Sequence, residues 1–164
     1  MTSHWRGYRP QGAGNKPSTV KISLALSLPR DAGTIPVARH IARDALREVG
    51  VTDDCTTAIE VALTEAATNV VRHSGEGDEY EVAVSVTAEH CTIRVVDTGR
   101  GFDFASLGGV ASEPTAEQGR GMQLMRALVD QVTFESKPQE GTIVHLEKHL
   151  DLMDASPMQR FSSA

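Results

Sequence analysis

An alternating stretch between Tyr80 and Asp97 limits the possible folds more than any other part of this chain. It has the sequence YEVAVSVTAEHCTIRVVD, in which apolar and polar residues alternate over 80–87 and again over 91–97. This alternation is typical of strands with one buried face, and the short polar segment AEH between them favours an antiparallel hairpin. The chain therefore predicts a sheet that other elements must cover on one side.

The segments that precede this hairpin predict one strand and two helices. Residues 19–29 alternate like a further strand, and over 35–49 the apolar positions recur at helical spacing. A longer helix begins at Thr52 or Asp53, whose side chains can cap its first turn, and it continues to Gly75. The expected inner positions are Ile35, Ala38, Ile41, Ala42, Ala45, Leu46 and Val49 in the first helix, and Ile59, Ala62, Leu63, Ala66 and Val70 in the second.

The segments that follow the hairpin predict a long loop, one helix and a closing hairpin. Residues 98–118 are glycine-rich, residues 119–130 are helical after their glycines, and residues 131–150 alternate as two further strands. This order predicts an α/β (α+β) fold, a two-layer sandwich in which helices lie on one face of a mostly antiparallel mixed sheet. The apolar stripe Met122, Leu124, Met125 and Leu128 is expected in the core.

Length and composition predict one domain and exclude several classes of partner. The 164 residues divide into a mobile arm over 1–18, one domain over 19–150 and a flexible tail over 151–164. A net charge of -6 without a basic run argues against direct nucleic-acid and membrane binding, and the chain has no apolar segment of about 18 residues. Cys55 and Cys91 lack metal-ligand spacing and are expected to be buried, reduced thiols in a cytoplasmic protein.

Three segments carry polar residues or glycines that a core does not require. In EAATNVVRH, Glu65 and Asn69 lie four residues apart on one helix face, where an amide oxygen suits Mg²⁺ and the acid can act as a base. In DTGRG, the Asp97 carboxylate can accept from a purine amino group, and Gly99 and Gly101 allow close approach to the main chain. Each segment alone is also compatible with an ordinary helix face or turn.

The third segment is GRG, in which Gly119 and Gly121 are expected to precede a helix. Amide groups at a helix N-terminus bind phosphate. The segment matches neither the Walker loop, because no GK[ST] follows, nor GxGxxG. A flexible entry into the helix is the alternative.

Together these segments resemble the N, G1 and G2 boxes of a nucleotide-binding family (GHKL). This family includes DNA gyrase, the heat-shock chaperone of the same fold, histidine kinases and the MutL mismatch-repair proteins. Gly141 and Thr142, which open the last strand, resemble the family's final nucleotide contact. The resemblance covers residues 20–148 and implies the histidine kinase-like ATPase fold. It is strongest for the small anti-sigma factor serine kinases, whose N-box pattern EVALTEAATNVVRHS matches, and no phospho-accepting histidine helix lies upstream.

The resemblance implies a site for ATP and Mg²⁺. In it Asn69 would hold the metal, Glu65 would be the base toward a Ser or Thr hydroxyl, and Asp97 would recognise adenine. The residues that would line the nucleotide are Gly99, Gly101, Gly119, Arg120, Gly121 and Thr142. The implied partners are a sigma factor, a small STAS-type antagonist that receives the phosphate, and a second copy of the chain. Residues 35–49 and their flanks would face the sigma factor and that copy.

One segment departs from the family pattern. The expected lid over 102–118 contains no Lys or Arg, although such lids commonly supply a cation to the terminal phosphate. Arg120 or Arg100 could take that part. The alternative function is a nucleotide-binding anti-sigma or partner-switch adaptor, which acts by binding its partners in fixed ratios and has no significant phosphate-transfer activity. An orphan hydrolase of the same fold is a third possibility.

Overall fold

The computed structural model describes residues 20–73, 79–97, 116–137 and 141–162. The elements of this part of the chain are β1 (Ile22–Pro29), α1 (Ile35–Glu48), α2 (Asp53–His73), β2 (Glu79–Val86), β3 (His90–Asp97), α3 (Ala116–Leu128), β4 (Gln131–Lys137), β5 (Gly141–His149) and α4 (Pro157–Ser162). A short 3-10 turn, Ala32–Thr34, joins β1 to α1. The predicted order of strands and helices is confirmed, with α4 as an addition.

The five strands form one sheet in the order β1–β2–β3–β5–β4. Every pairing among them is antiparallel, so the fold class is confirmed while the described sheet is not mixed. In the predicted central hairpin, Tyr80 pairs with Asp97. On its other side Asp97 pairs with Thr142, because β5 inserts between β3 and β4.

Helix α2 covers the sheet with the stripe predicted for it. The residues of that stripe are all buried, and α2 contacts α1, α3 and three of the strands. Thr52 caps the helix as expected, since its Oγ1 accepts from the Cys55 N–H at 3.4 Å and its carbonyl accepts from the Thr56 N–H at 2.9 Å. The packing of α2 against the sheet therefore fixes the positions of Glu65 and Asn69 relative to the strands.

Two predicted core positions lie at the surface instead. Ile41 on α1 is 38% exposed and Leu124 on α3 is 39% exposed. Each lies at the border of its apolar stripe, and a helix packed on one side buries only the middle of that stripe. In α1 that middle consists of Ile35, Ala38, Ala42 and Leu46.

The segment after β5, which the sequence predicts to be a flexible tail over 151–164, packs against the domain over its described residues 151–162. Leu152 bridges to Val51, and the Met153 N–H donates to the Gly50 carbonyl at 2.8 Å. Helix α4 places Met158 in the core, where it is 1% exposed. Gly50 has φ +87°, and a Cβ there would lie 2.4 Å from the Ser156 Cβ, so this junction requires glycine. A six-residue helix is too short to produce a detectable period.

Candidate functional site

Glu65 and Asn69 meet α3 at Gly121. Both side chains are half-buried on one face of α2, and Gly121 is buried against them. A Cβ added to Gly121 would lie 2.8 Å from Glu65 Oε2 and 3.9 Å from Asn69 Oδ1. The absence of a side chain at position 121 therefore leaves room for the Glu65 carboxylate. Three of the residues predicted from the sequence are thus brought together.

The glycines of this segment lie inside α3 rather than ahead of it, which corrects the expectation from sequence. The helix begins at Ala116, so Gly119 belongs to its first turn and Gly121 does not. Only the first four N–H groups of an α-helix have no partner within the helix. The unpartnered amides of α3 therefore lie ahead of Gly119, whose N–H is the first to follow the i→i−4 pattern, and Gly121 acts through its lack of a side chain.

A second group of residues lies at the end of β3. Asp97 is fully buried, and Arg30, which is 10% exposed, forms a salt bridge with it. Tyr80 and Thr142 are the cross-strand neighbours of Asp97, and both are buried. Removing one partner of a buried ion pair typically costs about 3–5 kcal/mol, so this pair is a strong constraint on the local structure.

Hydrogen bonds fix the turn that carries Arg30. The Asp31 carboxylate accepts from the Gly33 N–H at 2.6 Å, and the Asp31 carbonyl accepts from the Thr34 hydroxyl at 2.7 Å. Because the Thr34 proton is used there, the Tyr80 hydroxyl is the donor across the 2.9 Å between these two side chains. Burial raises the pKa of Tyr80. The phenol therefore stays protonated at neutral pH.

Sequence reasoning missed Arg30. The residue follows a predicted strand in the segment LPRDAG, where a cation has no local pattern to distinguish it from a surface charge. Its contact with Asp97 depends on the pairing of β1, β2 and β3, which places the two residues near each other despite a separation of 67 positions. No signal in a single sequence reports such a pairing.

The two groups lie on layers that contact each other, because α2 packs against α3, β3 and β5. Of the other predicted residues, Arg120 is exposed on α3 and Gly119 is partly buried. Gly99, Gly101 and Arg100 lie outside the described residues, as does the lid up to residue 115. The described part of the site therefore has an acid–amide group on the helical layer and a buried carboxylate on the sheet.

The side chains of the acid–amide group offer oxygen atoms as metal ligands. Within the described ranges, no group of three or more His, Cys, Asp and Glu side chains could hold a metal. Mg²⁺ bound to a nucleotide needs only one or two protein oxygens, because phosphate and water supply the other ligands. Asn69 and Glu65 offer that donor set, so the residues present fit a magnesium–nucleotide complex.

Cys55 in the first turn of α2 and Cys91 near the start of β3 lie away from this site, and both are buried, as predicted. Burial raises the pKa of Cys55, whose thiol donates to the His149 carbonyl at 3.7 Å. Burial also raises the pKa of Cys91 to about 12. Thiols in this state are poor nucleophiles and poor metal ligands, so their part is structural.

Comparison with known proteins decides the family. Residues 28–148 match the family model described as the histidine kinase-like ATPase domain. The chain belongs to this family. The match includes every predicted site residue, from Glu65 on α2 to Thr142 on β5.

Named relatives and solved structures agree with this assignment. The chain is 33% identical over 138 residues to an anti-sigma F factor of Bacillus licheniformis, covering 77% of this chain and 88% of the relative. It is 27% identical over 145 residues to the serine-protein kinase RsbW of Bacillus velezensis, covering 82% and 89%. These relatives confirm the predicted likeness to the anti-sigma factor kinases.

Two solved structures share the fold. The structure of the RsbU and RsbW domains of a Mycobacterium tuberculosis protein superposes with a TM-score of 0.62 at 20% identity, covering 79% of this chain and 32% of that longer one. The SiaB–SiaC complex of Pseudomonas aeruginosa gives 0.55 at 17% identity, covering 77% and 88%. Among the helices that the structure describes, none is long and apolar enough to cross a membrane.

Proposed function

We propose that this protein is an anti-sigma factor with serine/threonine kinase activity. It holds a sigma factor inactive and transfers phosphate from ATP to a Ser or Thr of a small STAS-type antagonist. The observation that carries this proposal is the meeting of Glu65, Asn69 and Gly121 on α2 and α3. The relatives named anti-sigma F factor and serine-protein kinase RsbW support the same class.

The nucleotide would lie between the helical layer and the end of β3. Asp97 would accept a hydrogen bond from the adenine amino group. Thr142, its cross-strand neighbour on β5, would contribute a hydroxyl. Phosphate would lie at the N-terminus of α3 next to Gly119, and Gly99 and Gly101 would line the adenine and ribose. Asn69 would hold a Mg²⁺ ion, which would neutralise charge on the phosphates.

Glu65 would act as the general base. Its carboxylate accepts the proton of the antagonist's hydroxyl while that oxygen forms a bond to the γ-phosphorus. The bond from the γ-phosphorus to the bridging oxygen breaks, and ADP leaves. Phosphoryl transfer needs mainly positioning and charge neutralisation from the protein, so one carboxylate at this point is sufficient.

We place the partner surface on α1. Val37 is 46% exposed and Ile41 is 38% exposed, one turn apart on this helix. Two large apolar side chains at the surface beside Arg39 suit contact with a sigma factor or with a second copy in a homodimer. A sigma factor as partner also favours a cytoplasmic location.

The adaptor without transfer activity is the second candidate. The observation that favours it is the lack of Lys and Arg between Phe102 and Gly119. The kinase requires another cation at the γ-phosphate, and Arg120, exposed on α3, is the residue we assign to that position. Replacing Arg120 with Ala should therefore slow phosphate transfer while ATP still binds.

Labelled ATP distinguishes these candidates. The full chain is incubated with Mg²⁺, γ-labelled ATP and purified STAS-type antagonist candidates from the same organism, in parallel with Glu65→Ala and with Glu60→Ala as a control on the same helix. Label on an antagonist that is lost only in Glu65→Ala supports the kinase. Calorimetric binding of ATP without label on any antagonist supports the adaptor, and absence of ATP and ADP binding contradicts the nucleotide site.

A further inference from the structure

The buried guanidinium of Arg30 lies beside the Asp97 carboxylate, to which the proposed function assigns recognition of adenine. Arg30 donates from Nη2 to Asp97 Oδ1, and the two side chains are 10% and 0% exposed. Arg30 extends from the turn after β1, so its guanidinium reaches across β2 to the end of β3. Binding a neutral amino group requires no cation next to the carboxylate. Arg30 offsets the cost of burying the Asp97 carboxylate, and a guanidinium has five N–H donors with which it can also contact a ligand.

The backbone around Arg30 is fixed independently of any ligand. The Asp31 N–H donates to the Pro29 carbonyl at 2.8 Å, and the Thr34 N–H donates to the Asp31 carbonyl at 3.0 Å. The contact between Thr34 and Tyr80 ties this turn to β2. A donor held in this way loses little conformational entropy when a ligand binds, which favours recognition by a preorganised group.

The ion pair presents two complementary groups side by side. A carboxylate only accepts hydrogen bonds, and a guanidinium only donates them, in a planar fork. Adenine has the matching edge, because its N6 amino group is a donor and the adjacent ring atom N1 is an acceptor. Hypoxanthine and guanine have the reverse order, with an acceptor at O6 and a donor at N1.

We propose that Arg30 and Asp97 recognise the adenine edge together, with Asp97 accepting from N6 and Arg30 donating to N1. This inference rests on the proposed nucleotide site. The ion pair of Arg30 and Asp97 stays intact when adenine binds, because a neutral amino group is a poor replacement for a guanidinium next to a buried carboxylate. Arg30 is therefore a determinant of specificity for adenine over guanine and hypoxanthine.

Calorimetry with altered bases tests the contact to N1. The full chain with Mg²⁺ is titrated with ADP, with 1-deaza-ADP, which lacks the N1 acceptor, and with IDP. Wild-type protein should bind ADP about 10- to 100-fold more tightly than 1-deaza-ADP, the range expected for a hydrogen bond from a charged donor. IDP should bind weakly, because its edge opposes both protein groups.

Arg30→Lys is the informative variant. Lysine keeps a cation beside Asp97 but has no fork to reach a second acceptor. Its affinity for ADP should fall to the wild-type level for 1-deaza-ADP, while its own affinity for 1-deaza-ADP changes little. Arg47→Met, at a 51% exposed position on α1, should bind both ligands like wild type.

Other outcomes would overturn the inference. An equal loss for ADP and 1-deaza-ADP in Arg30→Lys would mean that Arg30 only orients Asp97, and tighter ADP binding would mean that Arg30 must leave the site. If Arg30→Lys does not fold, the wild-type ratio of ADP to 1-deaza-ADP affinity decides, and a ratio near one contradicts the contact. Wild-type protein that binds no ADP would instead contradict the proposed function.

Discussion

The two ends of the sheet differ in what they bury. Where β3 ends and β5 begins, the buried residues include the charged pair of Asp97 and Arg30. At the opposite end, Cys91, Leu150 and Met158 fill the core with apolar atoms. Apolar burial stabilises a fold directly, whereas a buried charge is costly unless it is paired. The comparison indicates that this protein obtains stability at one end and keeps at the other the polar groups to which we assign nucleotide recognition.

The largest expected effect tests the apolar end. Met158→Ala should lower the free energy of unfolding by about 2–5 kcal/mol, because it removes a fully buried side chain and leaves a cavity. Urea denaturation measures this loss. The Kd for ADP at a temperature where the variant is folded should stay at the wild-type value, since α4 lies away from the site.

Met153→Ala is the matched control in the same segment. This methionine is 49% exposed, so its removal should change the free energy of unfolding by less than about 0.5 kcal/mol. Equal, small losses for both variants would show that the segment after β5 does not contribute to the core. A change in ADP affinity in Met158→Ala would show that the two ends are coupled.

A smaller effect is expected at the site end from Gly121→Ala. The new Cβ would occupy the space of Glu65 Oε2, and because that atom ends a flexible side chain, the fold should persist while the carboxylate moves. Misplacing a catalytic group by about 1 Å can cost about 100-fold in rate, so kcat for phosphate transfer should fall about 10- to 100-fold. Affinity for ADP should change much less.

A double variant separates this effect from a general disturbance of α3. In the Glu65→Gln background, Gly121→Ala should cause no further loss of kcat, because the group through which it acts is already absent. Additive losses would mean that Gly121 contributes independently, for example through the phosphates. Steady-state kinetics with a phosphorylatable antagonist give both values.

The smallest effect concerns pH and again tests the apolar end. Burial raises the pKa of Cys91 from 9.0 to about 12, so above pH 9 the unfolded chain loses a proton that the folded chain keeps. The contribution of this thiol to stability is complete below pH 9 and is lost as the pH rises toward 12. Between pH 8 and pH 10 the free energy of unfolding should fall by about 1 kcal/mol from this group.

Cys91→Ala should have a shallower decline over the same interval when urea midpoints are compared. Some decline should remain, because burial also raises the pKa values of Cys55 and Tyr80. Identical slopes for the two proteins would contradict the assignment to Cys91. Only the slopes are compared, since the substitution also leaves a cavity.

Much of the fold followed from local pattern. The hairpin of β2 and β3 and the buried stripe of α2 were predicted because period two and period 3.6 record which face is buried. The pattern failed for Ile41 and Leu124, at the border of a stripe, and for α4, which is too short to have a period. It also placed Gly121 before a helix, whereas the helix begins earlier, at Ala116.

The sequence alone predicted the layers and the acid–amide pair on α2, because these depend on residues that are close along the chain. It also predicted the family, because the order of the motifs along the chain is itself part of the sequence. Only the tertiary structure decided what lies against that pair and what faces Asp97. Gly121 lies against Glu65 because α3 packs on α2, and Arg30 reaches Asp97 because β1, β2 and β3 are neighbours in the sheet. Contacts between distant residues depend on how packed elements are arranged, and a local pattern of residues does not record that arrangement.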